Sequence, residues 1–298
     1  MFKVLPAALC FALATVAPSF GQSSTPPDSP QSQTSSTPRI VDTPAPPEEP
    51  AILEDGGFSI QPNYWLNRAQ PKLHGGAAAT APGDFNYTGD ASASVGGEIG
   101  IPAGRSNTLR FSYFRVQGLT DATFGNDTTL YSEPYSAGDF LNANYTIQEA
   151  KISWDYLSYT WHESPGPIRL KTLYEVQLVN AGVNAIAPFK AVTTDSSGNT
   201  NDNTAHGTSN LVLPTFGFEG EQMIGRHFRW EAKASGFGIP HGGNIWDAEA
   251  LAAVRVNQLE LMCGEKAFHF KTSPNSPMYM VDTLSGLFVG IRYYWGRE

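Results

Sequence analysis

From Phe58 onward, apolar and polar residues alternate with a period of two, segment after segment, almost to the end of the chain. Ile168, Leu170, Thr172, Tyr174, Val176 and Leu178 share one face of an extended segment, while Arg169, Lys171, Glu175 and Gln177 share the other. Phe228, Trp230, Ala232 and Ala234 alternate with Arg229, Glu231 and Lys233 in the same way. Ala248, Ala250, Ala252, Val254 and Val256 do so with Asp247, Glu249 and Arg255. Two further runs, Ala91–Ile101 and Leu287–Trp295, keep the period, and weaker ones occur at Phe58–Leu66, Thr108–Leu119, Ile147–Trp161, Leu211–Glu221 and Leu259–Phe270. This predicts an all-β chain of about ten strands. An even count of eight or twelve fits as well, because Ile147–Trp161 changes face near Tyr156, as a β-bulge would make it do.

The spacers are sorted by length. Pro102–Asn107, His162–Pro167, Gln222–Arg226 and Asn257–Gln258 are tight, whereas Asn67–Asp90, Thr120–Thr146 and Val183–Ser209 are long and polar. Phe237–Asn244 and Thr272–Asp282 are shorter members of the long set. An up-and-down antiparallel barrel crossing a membrane collects its short turns at one end and its long loops at the other. A soluble sandwich has no reason to do so.

The minority face is too charged for a dry core. Glu98, Arg110, Lys151, Asp155, Arg169, Lys171, Glu175, Arg229, Glu231, Lys233, Asp247, Glu249, Arg255, Glu260, Lys266 and Arg292 all fall on it, nine basic and seven acidic. These are expected to face the lumen of a barrel whose outside is apolar. Tyr64, Trp65, Trp161, Trp230, Trp246, Tyr293 and Trp295 lie near strand ends, where interfacial girdles belong.

The first 56 residues read differently. Lys3 followed by the apolar Val4–Ala17, with Ser19 and Gly21 before a cut, resembles a secretory signal over residues 1–21. Residues 22–56 are rich in Pro, Ser and Thr and are expected to form a disordered linker, leaving 57–298 for the barrel. Cleavage would leave Cys263 as the one thiol, so no disulfide framework is expected. A net charge of −9 with a pI near 5.1 argues against nucleic acid as a partner.

The closing segment, Gly290-Ile291-Arg292-Tyr293-Tyr294-Trp295, resembles the C-terminal β-signal of bacterial outer-membrane β-barrels, with Gly290, Tyr293 and Trp295 at the signal positions. Over Phe58–Trp295 the chain resembles that class, OmpA-like or porin-like, although Gly296, Arg297 and Glu298 follow the usual terminal aromatic. Pro62 and Pro214 also depart from it, and each is expected to mark a bulge or a rim. The resemblance implies outer-membrane lipid and the barrel-assembly machinery as partners, with the linker in the periplasm and available for cell-wall contact.

Chemistry is sparse. His162-Glu163-Ser164 has the residue types of a hydrolytic triad but sits in a predicted turn, where neighbouring side chains diverge. His74, His206, His227, His241 and His269 are dispersed, and Asp195–Asp202 lacks the spacing of a calcium loop. No nucleotide fingerprint or metalloprotease motif is present, so neither a cofactor nor a metal is expected. The expected function is non-catalytic: a structural envelope barrel or a narrow pore for small polar solutes. A lipid- or peptide-hydrolysing barrel enzyme and a secreted soluble β protein are the alternatives.

Overall fold

In the computed structural model, the described residues are 57–68, 72–73, 85–86, 92–104, 106–131, 133–162, 165–194, 200–201, 203–225, 227–240, 242–273 and 279–295. The expected signal and linker lie outside them, as do His74, His241 and residues 296–298. Ten strands form the wall: β1 (Phe58–Arg68), β2 (Ser92–Pro102), β3 (Thr108–Thr123), β4 (Phe140–Trp161), β5 (Ile168–Ile186), β6 (Thr204–Ile224), β7 (Phe228–Gly238), β8 (Asn244–Val256), β9 (Leu259–Lys271) and β10 (Met280–Trp295). Each pairs antiparallel with its neighbours in sequence, and β1 pairs with β10, so the sheet closes. Short ladders at the long-loop end join Lys72–Leu73 to β10 and to Phe85–Asn86, and Thr128–Leu130 to Glu133–Tyr135.

The register fixes the barrel's geometry. Paired residues lead from Asn210 on β6 through Asn180, Gln148, Arg115, Val95 and Tyr64 to Val289 on β10. They continue through Cys263, Ala252 and Trp230 and regain β6 at Gln222, twelve residues along from Asn210. That offset over ten strands tilts them by about 40° to the barrel axis.

The expected bulge is present: pairing of β4 with β5 slips between Leu157 and Tyr159. The two prolines occupy distinct weak points. Pairing of β1 with β10 skips Gln61 and Pro62, and the Arg292 Nε donates to Gln61 Oε1 at 2.7 Å across the gap. Pro214 lies beyond Phe216–Gly236, the outermost pair between β6 and β7, where that edge of β6 is free.

Three strands run far past the expected limits. Parts of Thr120–Thr146 and Val183–Ser209, expected as loops, are wall strand: β4 begins at Phe140, β5 continues to Ile186 and β6 begins at Thr204. The reason is a change of chemistry along unbroken strands. On β5 the outward residues Tyr174, Val176 and Leu178 are apolar and about half exposed, and the next outward positions are Asn180, Gly182 and Asn184. On β4 the outward series Trp154, Ile152 and Ala150 gives way to Gln148, Thr146, Asn144 and Asn142. The inward series changes in the opposite sense, from Asp155, Ser153, Lys151 and Glu149 to the buried Ile147, Tyr145, Ala143 and Leu141. The barrel is therefore apolar outside and charged inside toward its short-turn end, and polar outside and apolar inside beyond the border.

Substitutions along β5 test that border. Val176→Arg places a cation on the apolar band and is expected to cost about 2–4 kcal/mol of stability in vesicles. Asn184→Arg, on the same face beyond the border, is expected to stay within about 0.5 kcal/mol of the parent. Urea titration of the vesicle-inserted protein checks both.

Candidate functional site

The lumen is the region where chemistry-bearing side chains converge, and it has two layers. In the lower layer, toward the short turns, charges of opposite sign interlock. Lys171 is fully buried with its Nζ 3.0 Å from both Glu219 and Glu221. Arg169 meets Glu221 at 3.1 Å. Arg229 bonds both oxygens of Glu260, at 3.0 and 2.9 Å, and also Glu231. Arg110 Nε lies 2.6 Å from Asp155. Lys233 lies among Glu98, Glu231 and Glu249 at 3.4–3.7 Å. Arg255 pairs with Glu260 at 3.3 Å and covers the Tyr294 ring, and Arg292 reaches both Glu260 and Glu98.

Lys151 bridges Asp247 at 2.5 Å and Glu175 at 3.6 Å. These two acids are further joined through Ser235 and Gln177, each of which hydrogen-bonds to both. Four strands thus share one buried network. Lys266 is held differently, its ammonium 4.9 Å above the Phe114 ring and 5.5 Å from that of Trp65.

Three acids in this layer escaped the sequence reading: Glu149, Glu219 and Glu221. The glycines at 217 and 220 interrupt the alternation of β6, and Glu149 lies where the face reverses its chemistry. Among the described residues, Glu219, Glu221 and Glu231 form the group of carboxylates that could hold a metal, with ligand oxygens within 4.8 Å of one another. Lys171, Arg110 and Arg229 already neutralise them, so protein cations fill that role.

The upper layer is an apolar plug. Trp65, expected in the exterior girdle, instead points inward at 2% exposure and meets Phe114 edge-on, with Phe268 beyond. Its residue number places it on the inward parity of β1, opposite Tyr64, and its Nε1 donates to the Gly286 carbonyl. Above it Ile147, Val179, Leu213, Ile245, Phe270 and Leu284 close the bore. The hairpin of Thr128–Leu130 and Glu133–Tyr135 caps the plug with buried Leu130, Tyr131 and Tyr135. Lys190 fastens this hairpin, donating to the Pro134 carbonyl at 2.6 Å and covering the Tyr135 ring. The Tyr131 ring lies against Gly207, where any Cβ would collide at about 2.4 Å, and burial raises its phenol above the ordinary value.

Two cavities in the charged layer measure about 20 and 10 Å³, each close to the room one water needs. The larger lies between Gln61, Lys151, Lys233 and Lys266, and the smaller between Arg110, Asp155 and Glu219.

The remaining candidates are apart from the lumen. His206 and His269 face outward, bonded to Asn184 and Thr283, and His227 contacts the Arg255 carbonyl at a turn. His162 is exposed in its turn, and Glu163 and Ser164 lie outside the described residues. At the closing strand, Tyr293 donates to Gln258 at 2.6 Å, Trp295 packs on Tyr293 and Phe58, and Gly290 faces inward toward Met262.

No protein-family model and no curated protein matches the chain. Among solved structures it is similar to the outer membrane protease OmpT from Escherichia coli, with a TM-score of 0.55 at 10% identity, covering 81% of this chain and 97% of that one. The fold is that of an outer-membrane β-barrel. A second structure, a deletion mutant of the TodX monoaromatic hydrocarbon channel, aligns at a TM-score of 0.31 and 7% identity over 80% of this chain and 91% of that one. At 10% identity the likeness to OmpT is one of fold alone, and the interior of this barrel has to be read from its own residues.

The charge network predicts a specific penalty. Lys171→Met leaves Glu219 and Glu221 without their shared cation and is expected to cost about 3–5 kcal/mol. Adding Glu219→Gln should recover part of that loss, as measured by denaturant titration of the inserted barrel.

Proposed function

We propose that the chain is an integral protein of the bacterial outer membrane with a sealed lumen, serving a structural role in the envelope and neither conducting solutes nor catalysing a reaction. The exterior supports the membrane reading: Val95, Phe218 and Leu287 are more than 60% exposed in a continuous band of apolar side chains. A patch of that extent is untenable in water and matched to hydrocarbon. By the same reading the short turns and the N-terminal linker face the periplasm, the extended ends of β4–β6 project outward, and the last strand is what the assembly machinery recognises.

The observation that carries the sealed-lumen reading is the stacking of an apolar plug on a paired charge layer. Solute passage needs a continuous wet path, whereas here Trp65, Phe114 and Phe268 lie over cavities of one-water size. The interior charges also balance, and a ring of one sign, which would select ions, does not form among the described residues. Planar-bilayer recording tests this. Inserted wild-type protein should show no resolved conductance steps, and stable steps would establish the narrow-pore alternative.

A further inference from the structure

β9 carries a carboxyl group on the outer face of the barrel, inside the apolar band. Its outward positions are Leu259, Leu261, Cys263, Glu265, Ala267 and His269, and Lys266 next to Glu265 points into the lumen. Pairing of β9 with β8 and β10 is unbroken, with Glu265 opposite Ala250 and Leu287, so no bulge turns this side chain inward. Four residues nearer the long loops, His269 stacks on the girdle residue Trp246. At about 3.3 Å per residue and a tilt near 40°, Glu265 lies roughly 10 Å below that girdle. Among the described residues it is exposed and makes no ion pair.

Toward β7 and β8 the surface beside it is flat. Ala232, Ala234, Ala248, Ala250, Ala252 and Ala267 hold the outward positions there. The adjoining strands β4–β6 carry the bulky Trp154, Tyr174 and Phe216 on their outer face instead.

We propose that this face of β7–β9 is the contact between two copies of the chain in the bilayer, sealed by a mutually hydrogen-bonded pair of Glu265 carboxyl groups. The inference rests on the membrane reading above. Copies inserted the same way up are related by a twofold axis along the membrane normal, so equivalent residues meet at equal depth. A residue near that axis faces its own copy. Lys or Arg there would oppose donor to donor, but a neutral carboxyl group both donates and accepts, and two of them satisfy each other. Hydrocarbon offers a carboxyl group no water and no other polar partner. Alanine neighbours let the two sheets approach closely enough for these short side chains to meet, as small residues do between membrane helices.

The test uses the full chain with Cys10→Ser, so that Cys263, two residues from Glu265 on the same face, is the single thiol. The protein is inserted into phospholipid vesicles, insertion is verified by flotation, and a short membrane-permeant bis-maleimide is added. A cross-linked dimer is expected for the parent and for Glu265→Gln, whose amide is equally self-complementary. At least a tenfold loss of dimer is expected for Glu265→Lys and for Ala250→Trp, with single-molecule photobleaching in the same vesicles showing one step in place of two. A parent that floats with vesicles but stays monomeric overturns the dimer face alone, and so does Glu265→Lys dimerising like the parent. Failure to float overturns the membrane reading and the inference together.

Discussion

Closure of the backbone ladder is the constraint from which the other features follow. In hydrocarbon an unpaired N–H or C=O has no solvent to turn to, so a sheet can cross only if its first and last strands meet. Here β1 and β10 meet over Phe58–Arg68 and Ser285–Trp295. The skip at Gln61 and Pro62 is bridged by the Arg292 side chain from inside the barrel. Once the cylinder is closed, its diameter and tilt are set by ten strands and a twelve-residue offset, and alternate side chains must go in or out. The bore is then narrow enough for side chains to fill it.

Many of the lining charges are stable where they are because they meet groups of the other sign, while Lys266 rests on the Phe114 and Trp65 rings. Lys171 between two glutamates and Arg229 bonded to both oxygens of Glu260 are buried almost completely. An unpaired charge at such a position would be strongly destabilising, whereas pairing with the opposite charge roughly offsets the desolvation. The network also fixes the shape of the lumen, since its members come from strands far apart in sequence: Arg110 on β3 reaches Glu219 on β6, and Arg292 on β10 reaches Glu98 on β2. Beyond the border the same parity serves the opposite purpose. The wall there faces water, so Asn142, Asn180 and Asn210 point outward and Leu141, Val179 and Leu213 pack inward, as in a soluble barrel.

Much of this was legible in the sequence, and the misses have physical causes. Alternation at Ile168–Leu178 and Phe228–Ala234 is strong because an apolar exterior sits against a charged interior, and both strands appear where expected. Ala143 against Asn144, or Ala181 against Gly182, offers too little contrast to be read as strand, so the extensions of β4–β6 looked like loops. Trp65 stands near a strand end, where a girdle residue is expected, but parity, which places it opposite Tyr64, governs which way it points. Glu149, Glu219 and Glu221 needed a register across several strands before their orientation was decidable. Glu265 is the reverse case: it stands on the apolar parity of β9 with Leu261 and Cys263, and the continuous pairing on both sides keeps it there.

On β5 a single unbroken wall passes from an apolar to a polar outer face within two residues, from Leu178 to Asn180. Spin labels placed one at a time at outward positions 172, 174, 176, 178, 180, 182 and 184 of β5, in a chain lacking other thiols and inserted into vesicles, measure this directly. Accessibility to dissolved oxygen should exceed that to a water-soluble nickel complex through position 178, and the order should reverse from position 180 onward. Equal accessibility to the nickel complex along the whole series would mean that β5 crosses no border between lipid and water.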